Sequence, residues 1–207
     1  MKVLTFGCLH YPRNKESFER SLSKVDKVDL IFLSGDIAES LDGYLEVYDK
    51  IKDLSKNIIA IFGNIERNKE KIMEECEKIK FLDDSVTIFQ KKYYIIGTTG
   101  SCNDFKDQNL HNQRLRFLES KLKRKENYYT IVLMHYVPSF KLLGDLEKKL
   151  AEKMGSDKYE IIISQNKPNL VIYAHSHKSL TLQTINGIPF VNSSFYANEG
   201  LLSLNLW

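Results

Sequence analysis

Short apolar runs alternate with amphipathic stretches along the chain, and this alternation most constrains the fold. Five runs are nearly all apolar and rich in β-branched or aromatic residues: 2–7, 28–33, 57–62, 129–134 and 169–174. Strands that are buried on both faces of a sheet have this composition. Between the runs, apolar residues recur at helical spacing, as in Phe18, Leu22 and Val25 after a predicted cap at Asn14. The pattern predicts an α/β fold with a largely parallel sheet covered by helices.

The same spacing predicts further helices, and two regions break the alternation as β-hairpins. The helical positions are Val47, Ile51 and Leu54, then Ile72, Cys76 and Ile79, then Leu115, Leu118 and Leu122, and finally Leu142, Leu146, Leu150 and Met154. The hairpins are predicted at 85–97 and 181–192, and the second contains Asn186-Gly187, which a type I′ turn favours. Together with the closing segment 201–207, they predict a second, more antiparallel sheet. We expect two packed sheets with helices outside, in one domain over residues 1–207.

Composition is typical of a globular protein from a reducing compartment. The 207 residues are 43% hydrophobic with a net charge of +3, which excludes a disordered, self-repelling chain. Thirty lysines and arginines against 27 acidic residues are too evenly matched to favour a nucleic-acid partner. Cys8, Cys76 and Cys102 form no CxxC pair, and no run approaches the ~20 apolar residues of a membrane helix. We expect a cytoplasmic protein without a membrane partner.

Side chains that can bind metals follow all five apolar runs. In chain order they are His10, Asp36, Asn64, His135 and the pair His175 and His177. Because the carboxyl ends of parallel strands meet at one edge of a sheet, these side chains are predicted to lie together there. A histidine taken singly is more often a hydrogen-bonded or surface residue than a ligand. His111, at the start of a predicted helix, is the one histidine outside the set.

Several imidazoles with a carboxylate and an amide oxygen are typical of a divalent-metal site. Neutral imidazole suits zinc, iron, manganese and nickel, whereas oxygen donors suit harder ions. Cys8 precedes His10 by two residues and adds a further donor. The donors are too many for one tetrahedral ion, and they suffice for two ions that share a bridging carboxylate.

These blocks resemble the signature of the calcineurin-like metallophosphoesterase family. The family pattern DxH … GDxxx … GNH(D/E) … H … GHxH is matched in order by Cys8-Leu9-His10, Gly35-Asp36, Gly63-Asn64-Ile65-Glu66, His135 and Ala174-His175-Ser176-His177. The resemblance spans residues 8–177 and implies a four-layer αββα sandwich, two mixed sheets with helices on both outer faces. It also implies a hydrolase that cleaves phosphate esters, most of all a phosphodiesterase, with a hydroxide shared by two metal ions as the nucleophile.

Carried over residue by residue, the resemblance assigns the donors to two ions, which would be Mn, Fe, Zn or Ni. Cys8, His10 and His177 would bind the first ion. Asn64, His135 and His175 would bind the second, and Asp36 would bridge both. In this assignment Asp36, Asn64 and His135 are also the catalytic residues, and the substrate is a small phosphate ester.

Two positions depart from the family pattern. Cys8 stands where the family usually has aspartate, and its sulfur reaches less far than a carboxylate oxygen. The first ion would therefore be held weakly, be drawn closer by its loop, or be a softer ion. Ile65 occupies the position where the family commonly has a catalytic histidine, and isoleucine cannot protonate a leaving group. We expect an active enzyme that favours esters with good leaving groups, since loss of a general acid costs ~10²–10⁴ in rate.

Substrate and partner assignments are less constrained than the metal ligands. Arg67 and Arg13 follow ligand blocks and could clamp a phosphate, although a lone arginine is more often solvated. The segment 136–168 lies between the last two ligand blocks and is predicted to form the rim that sets substrate choice or the contact of a homodimer. The alternative from another functional class is a weakened scaffold of the same fold that acts through protein–protein contacts. A metal-binding sensor without turnover is a third.

Overall fold

The computed structural model describes residues 1–101, 107–124, 127–144 and 148–206. Its helices are α1 (Lys15–Leu22), α2 (Leu41–Ile51), α3 (Lys69–Glu75), α4 (Gln108–Leu122), α5 (Lys148–Met154), α6 (Asp157–Asn166) and α7 (Phe195–Asn198), with a 3-10 helix at Phe140–Leu143. Its strands are β1 (Lys2–Phe6), β2 (Leu30–Ser34), β3 (Ile58–Ile61), β4 (Ile79–Phe81), β5 (Ser85–Phe89), β6 (Tyr93–Thr98), β7 (Tyr129–Met134), β8 (Leu170–Tyr173), β9 (Leu182–Ile185), β10 (Ile188–Asn192) and β11 (Leu202–Asn205).

The strands form two mixed sheets. The first has the order β11-β1-β2-β3-β4 and the second has the order β5-β6-β7-β8-β10-β9. In the first sheet β1 to β4 run parallel, and β11 is antiparallel to β1. In the second sheet β6, β7, β8 and β10 run parallel, with β5 and β9 antiparallel at the two edges. The parallel strands of each sheet therefore direct their following loops to one edge.

Alternate residues of each strand face different cores, and this produces the four-layer αββα sandwich. Leu30 and Phe32 of β2 pack into a core shared with Ile131 and Leu133 of β7, which lies between the sheets. The intervening residues of β2 pack with α1, α2 and α3 on the outer face of the first sheet. The outer face of the second sheet packs with α4 and α6. Strands that are buried on both faces therefore have a continuous apolar composition.

Both predicted hairpins are present, and one predicted placement is wrong. β5 and β6 pair antiparallel, as do β9 and β10, whose turn has Asn186 at φ 53° and Gly187 at φ 78°. Positive φ at both central residues is the type I′ geometry. The closing strand β11, however, joins the first sheet beside β1 instead of the second. The second sheet is instead built around the parallel strands β7 and β8, so it is less antiparallel than expected.

The predicted helices differ from the observed ones mainly at their ends. Ile79 begins strand β4, because it pairs with Ile58 of β3. The helix predicted through Leu142, Leu150 and Met154 is two elements, the 3-10 helix Phe140–Leu143 and α5. Asn14 does occupy the N-cap of α1, but its side chain donates to the Leu9 carbonyl instead of accepting from the helix. The predicted helical position Leu146 and the third cysteine, Cys102, fall outside the described residues. Among the helices that are described, none has the length and apolar character needed to cross a membrane.

Candidate metal centre

Four of the seven donor residues have an unusual backbone conformation. Cys8, His10, Asp36 and His175 have φ between 48° and 62°. This left-handed region is uncommon for residues other than glycine, and it clusters at functional sites where the surrounding packing enforces it. Each of these residues follows the carboxyl end of β1, β2 or β8. The sharp turns direct the side chains of both sheets back over the same edge.

His135 is the centre of one group of donors. Its Nε2 lies 3.0 Å from Asn64 Oδ1, 3.1 Å from His175 Nδ1 and 3.3 Å from Asp36 Oδ2. The side chain is fully buried, and its Nδ1 lies 2.9 Å from the Ser34 carbonyl oxygen. A carbonyl oxygen can only accept, so Nδ1 carries a proton and donates it to Ser34. A backbone acceptor behind the ring is the arrangement that orients a metal-binding imidazole.

This tautomer provides a test of whether the residues fit a cation. In a neutral His135, Nε2 bears a lone pair, and it faces the oxygen lone pairs of Asn64 and Asp36. Lone pairs that point at one another repel, and burial strengthens that repulsion. A divalent cation at their meeting point satisfies all of these donors at once. The donor chemistry therefore fits a metal ion.

Asp36 is fixed by backbone amides and contacts both groups of donors. Its Oδ1 accepts from the amides of Asn64 at 2.7 Å and Ile65 at 3.1 Å. Its Oδ2 lies 3.3 Å from His135 Nε2 and 4.0 Å from His10 Nε2. Gly63 makes this approach possible, since a Cβ there would lie 2.0 Å from Asp36 Oδ1. Asp36 is therefore the carboxylate that lies between His135 and His10.

The second group of donors contains Cys8, His10 and His177. Their ligand atoms lie within 4.8 Å of one another, and Cys8, Asp36 and His135 form an overlapping group at the same spacing. Both ring nitrogens of His10 are buried without a hydrogen-bond partner among the described residues. Such unpartnered polar atoms are costly in a folded protein unless a ligand satisfies them. His10 is therefore a second position where the chain fits a cation.

Cys8 is a buried thiol that belongs to both of these overlapping groups. It is fully buried, and its Sγ accepts from the His175 amide at 3.1 Å. Burial, followed by the charge of Asp36, raises the pKa of the thiol well above its usual value. Without a cation the sulfur is therefore protonated, and a coordinated metal is the agent that would remove that proton.

Tyr196 is a contributor to the centre that the sequence did not reveal. Its ring stacks on that of His177 with centroids 4.5 Å apart and an interplanar angle of 12°. It also meets the His10 ring edge-on at 5.7 Å. Tyr196 lies in α7, after the last strand of the second sheet, and no motif marks it. Its packing holds the His177 imidazole in place.

The charges within the centre shift its histidines in opposite directions. Burial alone would lower the pKa of His135, but the Asp36 carboxylate reverses this and raises it. Burial and, after it, the charge of His135 lower the pKa of His175 to about 3. For Asp36, burial opposes ionisation, yet His135 holds the pKa of the carboxyl below its usual range. Asp36 is thus ionised and His175 neutral near pH 7, the states in which both bind metals.

Glu66 connects the loops that follow β2 and β3. It is buried, and its carboxylate accepts from the amides of Ile37 at 2.6 Å and Gly63 at 2.8 Å. These two amides belong to the loops that follow β2 and β3. Burial, followed by the charge of Asp36, raises the pKa of Glu66. The acidic residue of the GNIE block therefore joins two ligand loops and does not itself face the other donors.

A cavity of about 390 Å³ opens over the donors. It is lined by His10, Asp36, Asn64, Leu143, Leu150, Met154, His175, Ser176, His177, Lys178 and Ser179. Leu143, Leu150 and Met154 come from the predicted rim segment 136–168. Among the described residues of this lining, Lys178 is the only lysine or arginine. The volume is in the range of small-molecule sites.

The two arginines that were predicted to bind phosphate, Arg13 and Arg67, lie on the exposed surface. Arg13 forms an exposed ion pair with Glu39, at 2.6 Å between Nη2 and Oε1. Arg67 is exposed, and neither arginine belongs to the described cavity lining. Ile65 is half-buried beside Asp36, to which only its backbone donates. The substrate-binding roles of Arg13 and Arg67 stay predictions, and Lys178 is the cation that the structure places at the cavity.

The sequence belongs to a family whose general model matches most of its length. The model of the calcineurin-like phosphoesterases matches residues 1–179, which include all of the donors. The chain is a calcineurin-like phosphoesterase. Membership supports metal-dependent hydrolysis of phosphate esters as its general class of activity. No curated protein matches the sequence.

Solved structures of this phosphoesterase fold are similar over nearly the whole chain. The phosphopantetheinyl hydrolase from Mycobacterium tuberculosis has a TM-score of 0.76 and 12% identity, over 96% of this chain and 90% of that protein. The protein TT1561 of Thermus thermophilus has a TM-score of 0.66 and 15% identity, over 99% and 98%. GAP50, the anchor in the inner membrane complex of Plasmodium, has a TM-score of 0.55 and 13% identity, over 95% and 72%. At such low identities these likenesses show the fold alone.

Proposed function

We propose that this phosphoesterase hydrolyses phosphodiesters at a centre of two divalent metal ions. The observation that supports the proposal is the meeting of donors from five strand ends, with Asp36 between two groups of them. One ion would be held by Cys8, His10 and His177, and the other by Asn64, His135 and His175. When bound, such a pair activates water and neutralises charge on the phosphoryl oxygens.

The chain's own residues orient the ligands and bind the substrate. Ser34 fixes the His135 tautomer, and the amides of Asn64 and Ile65 fix Asp36. Lys178 lies at the cavity, where its ammonium group can pair with a phosphoryl oxygen of the ester. Ile65 offers no proton to the departing oxygen. The reaction we propose is therefore hydrolysis of esters whose leaving groups depart without protonation by the enzyme.

The experiment is hydrolysis of bis(p-nitrophenyl) phosphate by the chelator-treated chain, with and without added Mn²⁺. We expect release of p-nitrophenol only with the metal, and its loss in the His135→Ala variant. His111→Asn is the matched control, since it removes a buried histidine that is not one of the predicted ligands. The melting temperature of each variant is measured to exclude unfolding.

Comparison with p-nitrophenyl phosphate, a monoester with the same leaving group, tests the preference for diesters. A higher kcat/KM on the monoester would contradict the phosphodiesterase assignment while leaving metal-dependent hydrolysis in place. No turnover with Mn²⁺, Fe²⁺, Zn²⁺ or Ni²⁺ would contradict the proposed activity and favour the scaffold. Metal binding without turnover would favour the sensor.

A further inference from the structure

The cavity over the donors has two walls of different chemistry. One wall consists of the donor residues and Ser176, Lys178 and Ser179, and the other consists of Leu143, Leu150 and Met154. The Leu150 side chain is 48% exposed, and Leu143 and Met154 are half-buried. Apolar side chains that remain exposed inside a cavity beside a reactive centre are typical of a binding surface.

The position of this apolar wall is fixed by the segment that follows β7 and contains His135. The Val137 amide donates to the Met154 carbonyl at 3.0 Å, and the Ser156 amide donates to the Val137 carbonyl at 3.2 Å. Gly155 permits this contact, because a Cβ there would lie 1.8 Å from the Val137 oxygen. Leu150 and Met154 are four residues apart in α5 and so share one helix face. The wall is thus anchored two residues beyond His135.

We infer that the phosphate ester taken by this site carries an apolar group, which rests on Leu143, Leu150 and Met154 while the phosphate lies at the donors. The inference rests on the proposed function and names its substrate class. The three side chains offer no strong donor or acceptor, so a sugar or other hydroxylated group finds no partner there. An aliphatic or aromatic group is held by burial alone, at about fourfold in affinity per methylene covered.

The test is a series of p-nitrophenyl alkyl phosphodiesters in which the alkyl group is methyl, butyl or octyl. The leaving group is constant, so differences in kcat/KM report the alkyl group alone. With the Mn²⁺-loaded chain we expect kcat/KM to rise at least about tenfold from methyl to butyl. The butyl ester is also compared with a p-nitrophenyl glyceryl ester of similar size, which we expect to be the poorer substrate.

Leu150→Asn should flatten the rise, because it places an amide on the apolar wall. Its matched control is Ile161→Asn, which changes a residue that is 57% exposed on α6 and lies outside the described cavity lining. Both positions are exposed, so neither variant removes a core side chain, and melting temperatures are compared. A flat series in the unsubstituted chain, or an equal rise in the Leu150→Asn variant, would overturn the inference.

Binding of methyl-, butyl- and octylphosphonic acid by calorimetry separates this inference from the proposed function. If no ester is hydrolysed but affinity rises with chain length and Leu150→Asn abolishes the rise, the hydrolytic proposal fails and the apolar subsite stands. If esters are hydrolysed and affinity does not depend on chain length, the subsite fails and the hydrolytic proposal stands. A rise confined to octyl esters above their micelle concentration would indicate a surface effect and contradict the subsite.

Discussion

His135 and His111 are both fully buried, yet the groups that contact their ring nitrogens differ. Around His135 stand a carboxylate, an amide oxygen and a second imidazole. Around His111 stand the hydroxyl groups of Ser101 and Tyr159, with Ser101 bonded to its Nδ1. The Asp36 charge overcomes burial and raises the pKa of His135, whereas burial lowers the pKa of His111. Burial alone therefore does not mark a functional histidine.

The groups around a ring nitrogen, and not its burial, distinguish a metal-binding histidine from a core histidine. In the neutral ring, Nε2 of His135 faces other lone pairs, which is unfavourable unless a metal ion or a proton lies between them. Nδ1 of His111 is satisfied by a hydroxyl without any ligand, because a hydroxyl can both donate and accept, whereas its Nε2 is buried without a partner among the described residues. No group of metal-binding residues among those described includes His111, so it is best explained as a packed core residue in the first turn of α4.

The largest difference should appear when each histidine is removed. We expect His135→Ala to lower kcat/KM on the aryl diester by about 10³-fold, or about 4 kcal/mol at 1.36 kcal/mol per tenfold. His111→Asn should leave kcat/KM within about twofold, with any cost seen as a lower melting temperature. Calorimetric titration with Mn²⁺ provides a second measurement. Equal losses of activity in the two folded variants would abolish the distinction.

A substitution that leaves every donor residue in the sequence should also lower the activity. Gly63→Ala puts a Cβ where Asp36 Oδ1 now lies and should lower kcat/KM by about 10²-fold, since displacement of about 1 Å can cost that much. Gly43→Ala is the control, because its Cβ would meet nothing closer than Ser40 Oγ at 3.1 Å. Normal activity in Gly63→Ala would show that Asp36 need not be held there.

Adding an imidazole beside the centre should raise the rate instead of lowering it. Ile65→His is expected to raise the rate on alkyl esters with poor leaving groups by about tenfold, below the ~10²–10⁴ of a well-placed general acid. The rate on p-nitrophenyl esters should change little. The measurement is the slope of log kcat against leaving-group pKa. An unchanged slope would contradict the role we assign to Ile65.

The smallest expected effect concerns stability against pH at His111. Burial lowers the pKa of His111 in the folded chain, so its titration costs no stability above the unfolded pKa of about 6.5. The free energy of unfolding decreases as the pH falls below this value, because the unfolded chain then takes up the proton first. Urea midpoints of the chelator-treated chain should fall between about pH 7.5 and 5.5, and less steeply in His111→Asn. An equal fall in both chains would remove His111 as a source.

The sequence predicts best those features that depend on local composition and chain direction. Buried strands are recognised by their apolar runs, and a residue such as His10 or His175 follows its strand directly whichever sheet that strand joins. The turn at Asn186-Gly187 is determined by two adjacent residues and was also predicted correctly. The family motifs have this same local character.

Features that depend on contacts between distant segments were not predictable in this way. The closing strand β11 alternates leucine with polar residues, and nothing in this local pattern assigns it to one sheet or the other. Ile79 continues the helical spacing of Ile72 and Cys76, but pairing with β3 places it in a strand. Tyr196 reaches the rings of His10 and His177 through tertiary packing, which leaves no spacing signal. Arg13 forms an ion pair with Glu39, which is distant in sequence and becomes its neighbour only in the folded chain.

The left-handed backbone of Cys8, His10, Asp36 and His175 makes the donor arrangement depend on the entire sandwich. The amide of Cys8 donates to the Gly35 carbonyl. The amide of Gly7 donates to the carbonyl of Ser193, which follows a strand of the opposite sheet. A fragment that carries one motif would relax to ordinary dihedral angles and lose the arrangement. Release of a coloured ion such as Co²⁺ should therefore coincide with global unfolding, so that the bound ion becomes a spectroscopic reporter of whether the two sheets remain docked.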